Sequence, residues 1–130
     1  MRKRISIFIL IILFIGGCSI QNQKSQQKDK TTTRILYKWR LDTNGCRGYR
    51  SIHAAIYIRD SIDFIDKDTS YIYNLLGHPN QSYERGSFMK VTYTCNITCK
   101  NNKVNENIDR CYLNFLLDSN KVSLVMISCE

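Results

Sequence analysis

The sequence has no apolar run of the roughly 20 residues that a membrane-spanning helix needs; its longest, Ile5 to Ile15, is interrupted by Ser6. Histidine is scarce, with His53 among Ile and Ala and His78 in Gly77-His78-Pro79. A hydrolytic site needs a nucleophile and a base held by neighbours, and neither histidine has such company, so no catalytic residue is nominated. The chain also lacks a Cys-x-x-Cys redox motif, since Cys95 and Cys99 are one residue too far apart. Three thiolates from Cys95, Cys99 and Cys111 would match no compact zinc knuckle. The acidic run Asp60, Asp63, Asp66, Asp68 lacks the central Gly and terminal Glu of a calcium loop. Neither a metal nor another cofactor is expected, no small-molecule substrate is implied, and there are no internal repeats.

The charge excess is only local. A formal net charge of +8 suggests nucleic acid or an anionic surface until it is divided along the chain. Arg2, Lys3 and Arg4 precede the apolar run, and Lys24, Lys28, Lys30 and Arg34, offset only by Asp29, follow it. From Ile35 onward 12 basic residues are set against 10 acidic ones, so that part is close to neutral and no nucleic-acid partner is expected.

What is present begins with the first 18 residues. The basic cluster, the short apolar run and the small residues before Cys18 have the outline of a signal peptide. Ile15-Gly16-Gly17-Cys18 resembles a bacterial lipobox. The resemblance implies that residues 1–17 are removed, that the Cys18 thiol carries a diacylglyceryl group, and that this lipid holds the mature chain to a membrane. Ser19 lacks the acidic character that marks inner-membrane retention in enterobacterial lipoproteins, which favours the outer membrane with the domain facing the periplasm. Residues 18–34 are polar and aperiodic and are expected to be a flexible tether, typically spanning about 20 to 25 Å. Residues 35–130 suffice for one small domain and not for two.

Within that domain, the alternation of Ile35, Tyr37 and Trp39 with Leu36, Lys38 and Arg40 predicts a short extended segment, and Asp42-Thr43-Asn44-Gly45 a turn. Ser51 to Ile65 reads as a helix with a stripe of Ile52, Ala55, Ile56, Ile62 and Ile65, while Ile56, Tyr57 and Ile58 also suit a strand. Asp68-Thr69-Ser70 offers N-cap oxygens to a second helix carrying Ile72, Leu75 and Leu76, with Gly77 and the chain's one proline, Pro79, as its stop. Asn80 to Ser87 reads as a polar patch. Met89, Val91, Tyr93, Cys95 and Ile97 alternate with polar residues as a half-buried strand. Cys111, Leu113, Phe115 and Leu117 line a second strand, and a turn at Asp118-Ser119-Asn120 leads to a third, Val122 to Cys129. The expected fold is α+β, two helices followed by a three-stranded antiparallel sheet, braced by disulfides.

With Cys18 lipidated, five cysteines remain in an oxidising compartment, Cys46, Cys95, Cys99, Cys111 and Cys129, so at most two bonds form and one thiol is left. An odd-numbered loop in the last turn would put Cys111 and Cys129 on one face, and an even one on opposite faces. The preferred pattern is Cys111 with Cys129, and Cys46 with Cys99 or Cys95.

The order of elements, with the exit Leu75-Leu76-Gly77-His78-Pro79-Asn80 and the Tyr-bearing strand Val91-Thr92-Tyr93-Thr94, resembles the SmpA/OmlA (BamE-like) lipoproteins over about residues 50 to 129. Asp42, Gly45-Cys46 and Arg50 resemble a pattern in small lipoproteins of the Bacteroidetes type. The motif positions are thus Asp42, Gly45, Arg50, Gly77, Pro79 and Tyr93. The resemblance implies a non-enzymatic, membrane-anchored lipoprotein that binds a protein partner in the cell envelope, in outer-membrane assembly or envelope integrity. The alternative is an inhibitor or immunity lipoprotein acting on a hydrolase.

Overall fold

A computed structural model describes residues 28–101, 103, 104 and 110–130. The chain divides into two units, Met1–Thr33 and Arg34–Glu130; of the first, only residues 28–33 are described, and they are helical. The expected signal peptide, the Cys18 lipidation site and tether residues 18–27 lie outside the described residues.

The first helix, α1, covers residues 28–41. It overturns two expectations. Residues 28–34 are helix rather than tether, as extending a formed helix costs far less than nucleating one, and the Thr32 hydroxyl donates to the Lys28 carbonyl at 2.9 Å. Residues 35–41 are helix rather than extended. Leu36 and Trp39, three residues apart, are buried while Tyr37 is 58% exposed, so the governing spacing is helical and the six-residue alternation is coincidental.

α2 spans Ile52–Ser61, with the Ser51 side chain accepting from the Ala54 N–H at 3.2 Å. Its inward stripe is Ala55 and Ile58. Ile56 and Ile65, expected inside, are 39% and 48% exposed, and Phe64, beyond the helix end, enters the core instead. α3 spans Thr69–Leu76. The Asp68 carboxylate accepts from the Tyr71 N–H at 2.9 Å, and Gly77 ends the helix at φ 79°, a left-handed value that glycine adopts without steric cost. Ile72 and Leu76 face inward.

Among the described residues six strands follow: β1 Gln81–Arg85, β2 Phe88–Cys95, β3 Cys99–Lys100, β4 Lys103–Val104, β5 Cys111–Asp118 and β6 Lys121–Cys129. β3 and β4 form a separate two-stranded ribbon, and the main antiparallel sheet has the order β1-β2-β5-β6. Among the described residues it therefore has four strands, not three, and three helices accompany it rather than two. β1 escaped the sequence because all five of its residues are exposed, and a strand that buries nothing carries no alternation to read. The strand expected to run on through Ile97 stops at Cys95, where Asn96 takes φ 54°.

Val91, Tyr93 and Cys95 of β2 and Cys111, Leu113, Phe115 and Leu117 of β5 project to one face of the sheet and meet Trp39, Ile58, Phe64, Ile72 and Leu76 from the helices and the connection between them. At the centre, Phe115 stacks edge-on to Phe64 at 4.8 Å and to Tyr93 at 6.0 Å between ring centroids, an arrangement that suits the ring quadrupoles.

Candidate functional site

Asp42 follows α1 and is fully buried. Its carboxylate accepts from the backbone N–H groups of Arg47, Tyr49 and Arg50 at 2.9, 2.8 and 3.0 Å, which supplies the partners that a buried carboxylate requires and folds residues 42–50 into a closed loop. Arg50 is 1% exposed. Its Nε donates to the Trp39 carbonyl at 3.1 Å, and its Nη1 to the Thr43 carbonyl at 3.2 Å and to Asn80 Oδ1 at 2.8 Å. The guanidinium carbon lies 5.3 and 5.6 Å from the ring centroids of Trp39 and Tyr93, within cation–π range. Burial lowers the Arg50 pKa from its ordinary value, and the nearby negative charge of Asp42 opposes that shift.

The same junction takes in the exit from α3. The Tyr93 hydroxyl donates to the Gly77 carbonyl at 2.6 Å; burial raises its pKa, with Tyr73 adding to the shift and Arg50 opposing it. Asn80 Oδ1 accepts from Arg50 and from the Thr94 N–H at 2.9 Å, while its Nδ2 donates to the Thr43 carbonyl at 3.0 Å. Gly45, at φ 76°, approaches Ile97 so closely that a Cβ would lie 2.7 Å from the Ile97 Cδ1. Asp42, Gly45, Arg50, Gly77 and Tyr93 are thus brought together, and Pro79 sits partly buried beside Asn80. The Asp42 carboxylate, the Arg50 guanidinium, the Asn80 amide and the Tyr93 hydroxyl are hydrogen-bonded within the junction, whereas the buried Trp39 Nε1 has no hydrogen-bond partner among the described residues. These positions hold the fold together.

The cysteines complete the brace. Cys46 is bonded to Cys99 and Cys111 to Cys129, and Cys95 is a buried thiol whose pKa burial pushes up to about 11. The turn between β5 and β6 has two residues, Ser119 and Asn120, both at positive φ, an even number that alone would put Cys111 and Cys129 on opposite faces. An irregularity between Leu116 and Leu117 shifts the pairing from Leu117↔Val122 to Leu116↔Leu124, leaving Ser123 as an extra residue. That β-bulge restores the parity and sets Cys111 directly opposite Cys129.

Sequence candidates for chemistry are scattered. His53 and His78 are both exposed, the latter with its ring 6.0 Å from that of Tyr73. Asp60 pairs with Arg59 at 2.6 Å, Asp68 caps α3, and Asp66 takes φ 61°. Among the described residues no group of three or more His, Cys, Asp or Glu is placed to hold a metal ion.

The accessible feature is the other face of the sheet, which sequence reasoning did not single out. Register arranges it in cross-strand rows: Arg85, Phe88, Asp118 and Lys121; then Tyr83, Lys90, Leu116 and Leu124; then Gln81, Thr92, Asn114 and Met126; then Thr94, Tyr112 and Ser128. Its floor is a hydrogen-bonded chain. The Thr92 hydroxyl donates to Asn114 Oδ1 at 2.9 Å, and Asn114 Nδ2 donates to Ser128 Oγ at 3.0 Å. Above it lies a polar groove of about 200 Å³ edged by Lys90 and Glu130. Exposed apolar side chains are interspersed on this face: Phe88 among the charged residues of the row nearest the β1–β2 and β5–β6 turns, Tyr83 and Leu124 in the next row, and Met126 opposite Asn114. The signal available in the sequence was Asn114, a lone amide inside Tyr112-Leu113-Asn114-Phe115-Leu116. The two sheet edges also differ. Beside β6, Val122 exchanges backbone hydrogen bonds with Asp66 and Lys67 at 3.0 and 2.9 Å, and the bulge at Ser123 further interrupts that edge, both protections against pairing. β1 has neither a bulge nor a proline. Comparison of the chain with protein-family models, with curated proteins and with solved structures finds no match.

Proposed function

We propose that this protein is a non-enzymatic lipoprotein of the bacterial outer membrane, anchored through Cys18 and facing the periplasm, which binds an envelope protein through the open face of its sheet and the adjoining β1 edge. The observation that carries the reading is one-sided coverage: the core lies against one sheet face, while the other exposes Tyr83, Phe88, Leu124 and Met126 among charged residues, a mixture typical of surfaces that bind proteins. Two disulfides suit an oxidising compartment.

The test is site-specific photo-crosslinking in living cells, with the reactive residue placed at Tyr83, at Leu124 and, as a control on a helix surface, at Ile56. A discrete crosslinked envelope protein is expected from Tyr83 and Leu124 and not from Ile56. Crosslinks confined to Ile56 would assign binding to the helical side and overturn the reading. If the captured protein is a lytic enzyme that the purified chain inhibits, the assembly role gives way to that of an inhibitor.

A further inference from the structure

Three cysteines stand in one cross-strand row on the core face. Cys95 of β2 is opposite Cys111 of β5, and Cys111 is opposite Cys129 of β6. Cys111 and Cys129 are bonded, their Cα atoms 4.0 Å apart, and Cys95 carries the thiol. The two sides of Cys111 are not equivalent. Arg110 and Glu130 exchange both backbone hydrogen bonds, at 3.0 and 2.9 Å, so the adjacent Cys111/Cys129 pair is of the closer, non-hydrogen-bonded kind. The N–H and C=O of Cys111 therefore point toward β2, which makes Cys95/Cys111 a hydrogen-bonded pair with Cα atoms about 5.5 Å apart, a separation that a disulfide spans. Cys111 thus has a cysteine within bonding reach on either side. Access runs the other way: Cys95 is fully buried and Cys111 is 4% exposed, whereas Cys129, at the end of an edge strand, is exposed.

We propose that this row is a thiol relay which makes Cys129, rather than the buried Cys95, the site at which the protein forms a mixed disulfide with an external disulfide. In the first step the Cys95 thiol loses its proton to solvent base and the thiolate attacks Cys111 Sγ. The Cys95–Cys111 bond forms as the Cys111–Cys129 bond breaks, and the electron pair leaves on Cys129 Sγ. In the second step the Cys129 thiolate attacks one sulfur of the external disulfide; a Cys129 mixed disulfide forms, and the other half departs as a thiolate that takes up a proton. The external disulfide is the only oxidant, and one thiol is exchanged for another. Burial raises the Cys95 pKa, which disfavours the attacking thiolate and slows the first step. The Cys46–Cys99 bond takes no part and serves as an internal reference. This inference does not depend on the binding role proposed above.

The test uses the full chain with Cys18→Ala, so that Cys95 is its only initial thiol. It is incubated with excess oxidised glutathione, quenched in acid, and mapped by mass spectrometry of disulfide-linked peptides. Glutathione is expected on Cys129 in about tenfold excess over Cys95, together with a new Cys95–Cys111 pair and an unchanged Cys46–Cys99 pair. Adding Cys95→Ala should abolish the adduct, because Cys129 is then never released. Glutathione on Cys95 with Cys111–Cys129 intact would overturn the relay. So would the absence of any adduct under conditions in which the same chain, unfolded in guanidinium, reacts fully.

Discussion

At Gly45 a hydrogen atom occupies the position where any other residue would carry a Cβ, and two independent constraints meet there: a backbone at φ 76° and the Ile97 side chain at 2.7 Å from the missing atom. Gly48 has nearly the same backbone, φ 73°, with nothing within 4 Å. The pair separates strain from crowding. Gly48→Ala is expected to destabilise by about 1 kcal/mol through the left-handed backbone alone, and Gly45→Ala by about 2 kcal/mol or more as Ile97 is displaced. Urea unfolding of the two variants checks this, and equal losses would mean that Ile97 yields without cost. Arg50 shows a different economy. Its buried charge is compensated by two carbonyls, an amide oxygen and two aromatic faces. Lysine has no planar fork with which to reach the same acceptors.

Among the elements, β6 shows how one surplus residue decides covalent structure. A two-residue turn with regular pairing throughout would set Cys111 opposite Ser128; the extra residue at Ser123 moves the register by one and sets it opposite Cys129. Removing Ser123 itself converts the bulge to regular pairing while keeping Asp118↔Lys121 on one side and Leu116↔Leu124 on the other. Deletion of Ser123 is therefore expected to retain the Cys111–Cys129 bond and to cost no more than about 1 kcal/mol, the order of its hydroxyl bond to the Leu116 carbonyl at 3.1 Å. Disulfide mapping of the deletion variant settles the point; free thiols at Cys111 and Cys129 would show that the bulge does more than correct parity. β1 is the complementary case, an element held by its hairpin with β2, all five of its residues being exposed.

For the molecule as a whole, the two disulfides offset the modest core of a small domain. The Cys46–Cys99 bond, spanning 53 residues, is worth about 4 kcal/mol in chain-entropy terms. Stability should also depend on alkaline pH. Burial raises the Cys95 pKa from 9.0 to about 11, so the folded state holds this proton more tightly than the unfolded chain. Its contribution is complete below about pH 9 and is lost as pH rises through about 11. Tyr93, raised from 10.0 for the same reason, acts in the same sense at higher pH. Urea midpoints from about pH 8 to about pH 11 should fall less steeply for Cys95→Ala than for the wild type. Parallel slopes would show that Cys95 ionises equally in both states.

The sequence by itself determined the elements whose signals are local. α3 was legible from Asp68, the Ile72–Leu76 spacing and Gly77, because cap oxygens and a left-handed glycine act within one or two turns. The core faces of β2 and β5 were legible because one-sided burial imposes a period of two. Cys111 and Cys129 could be matched, but only subject to the parity of a turn. Tertiary structure decided what depends on distant partners. Leu36 and Trp39 fix α1 as a helix because a sheet lies where their side chains point, and six alternating residues could not reveal that. β1 is a strand only because β2 supplies its hydrogen bonds. Asp42, Gly45, Arg50 and Tyr93 stood out as a pattern, yet their shared role needed Asn80 and Trp39, brought to the same junction by chain closure. The open sheet face is legible only once the fold shows which side the helices cover.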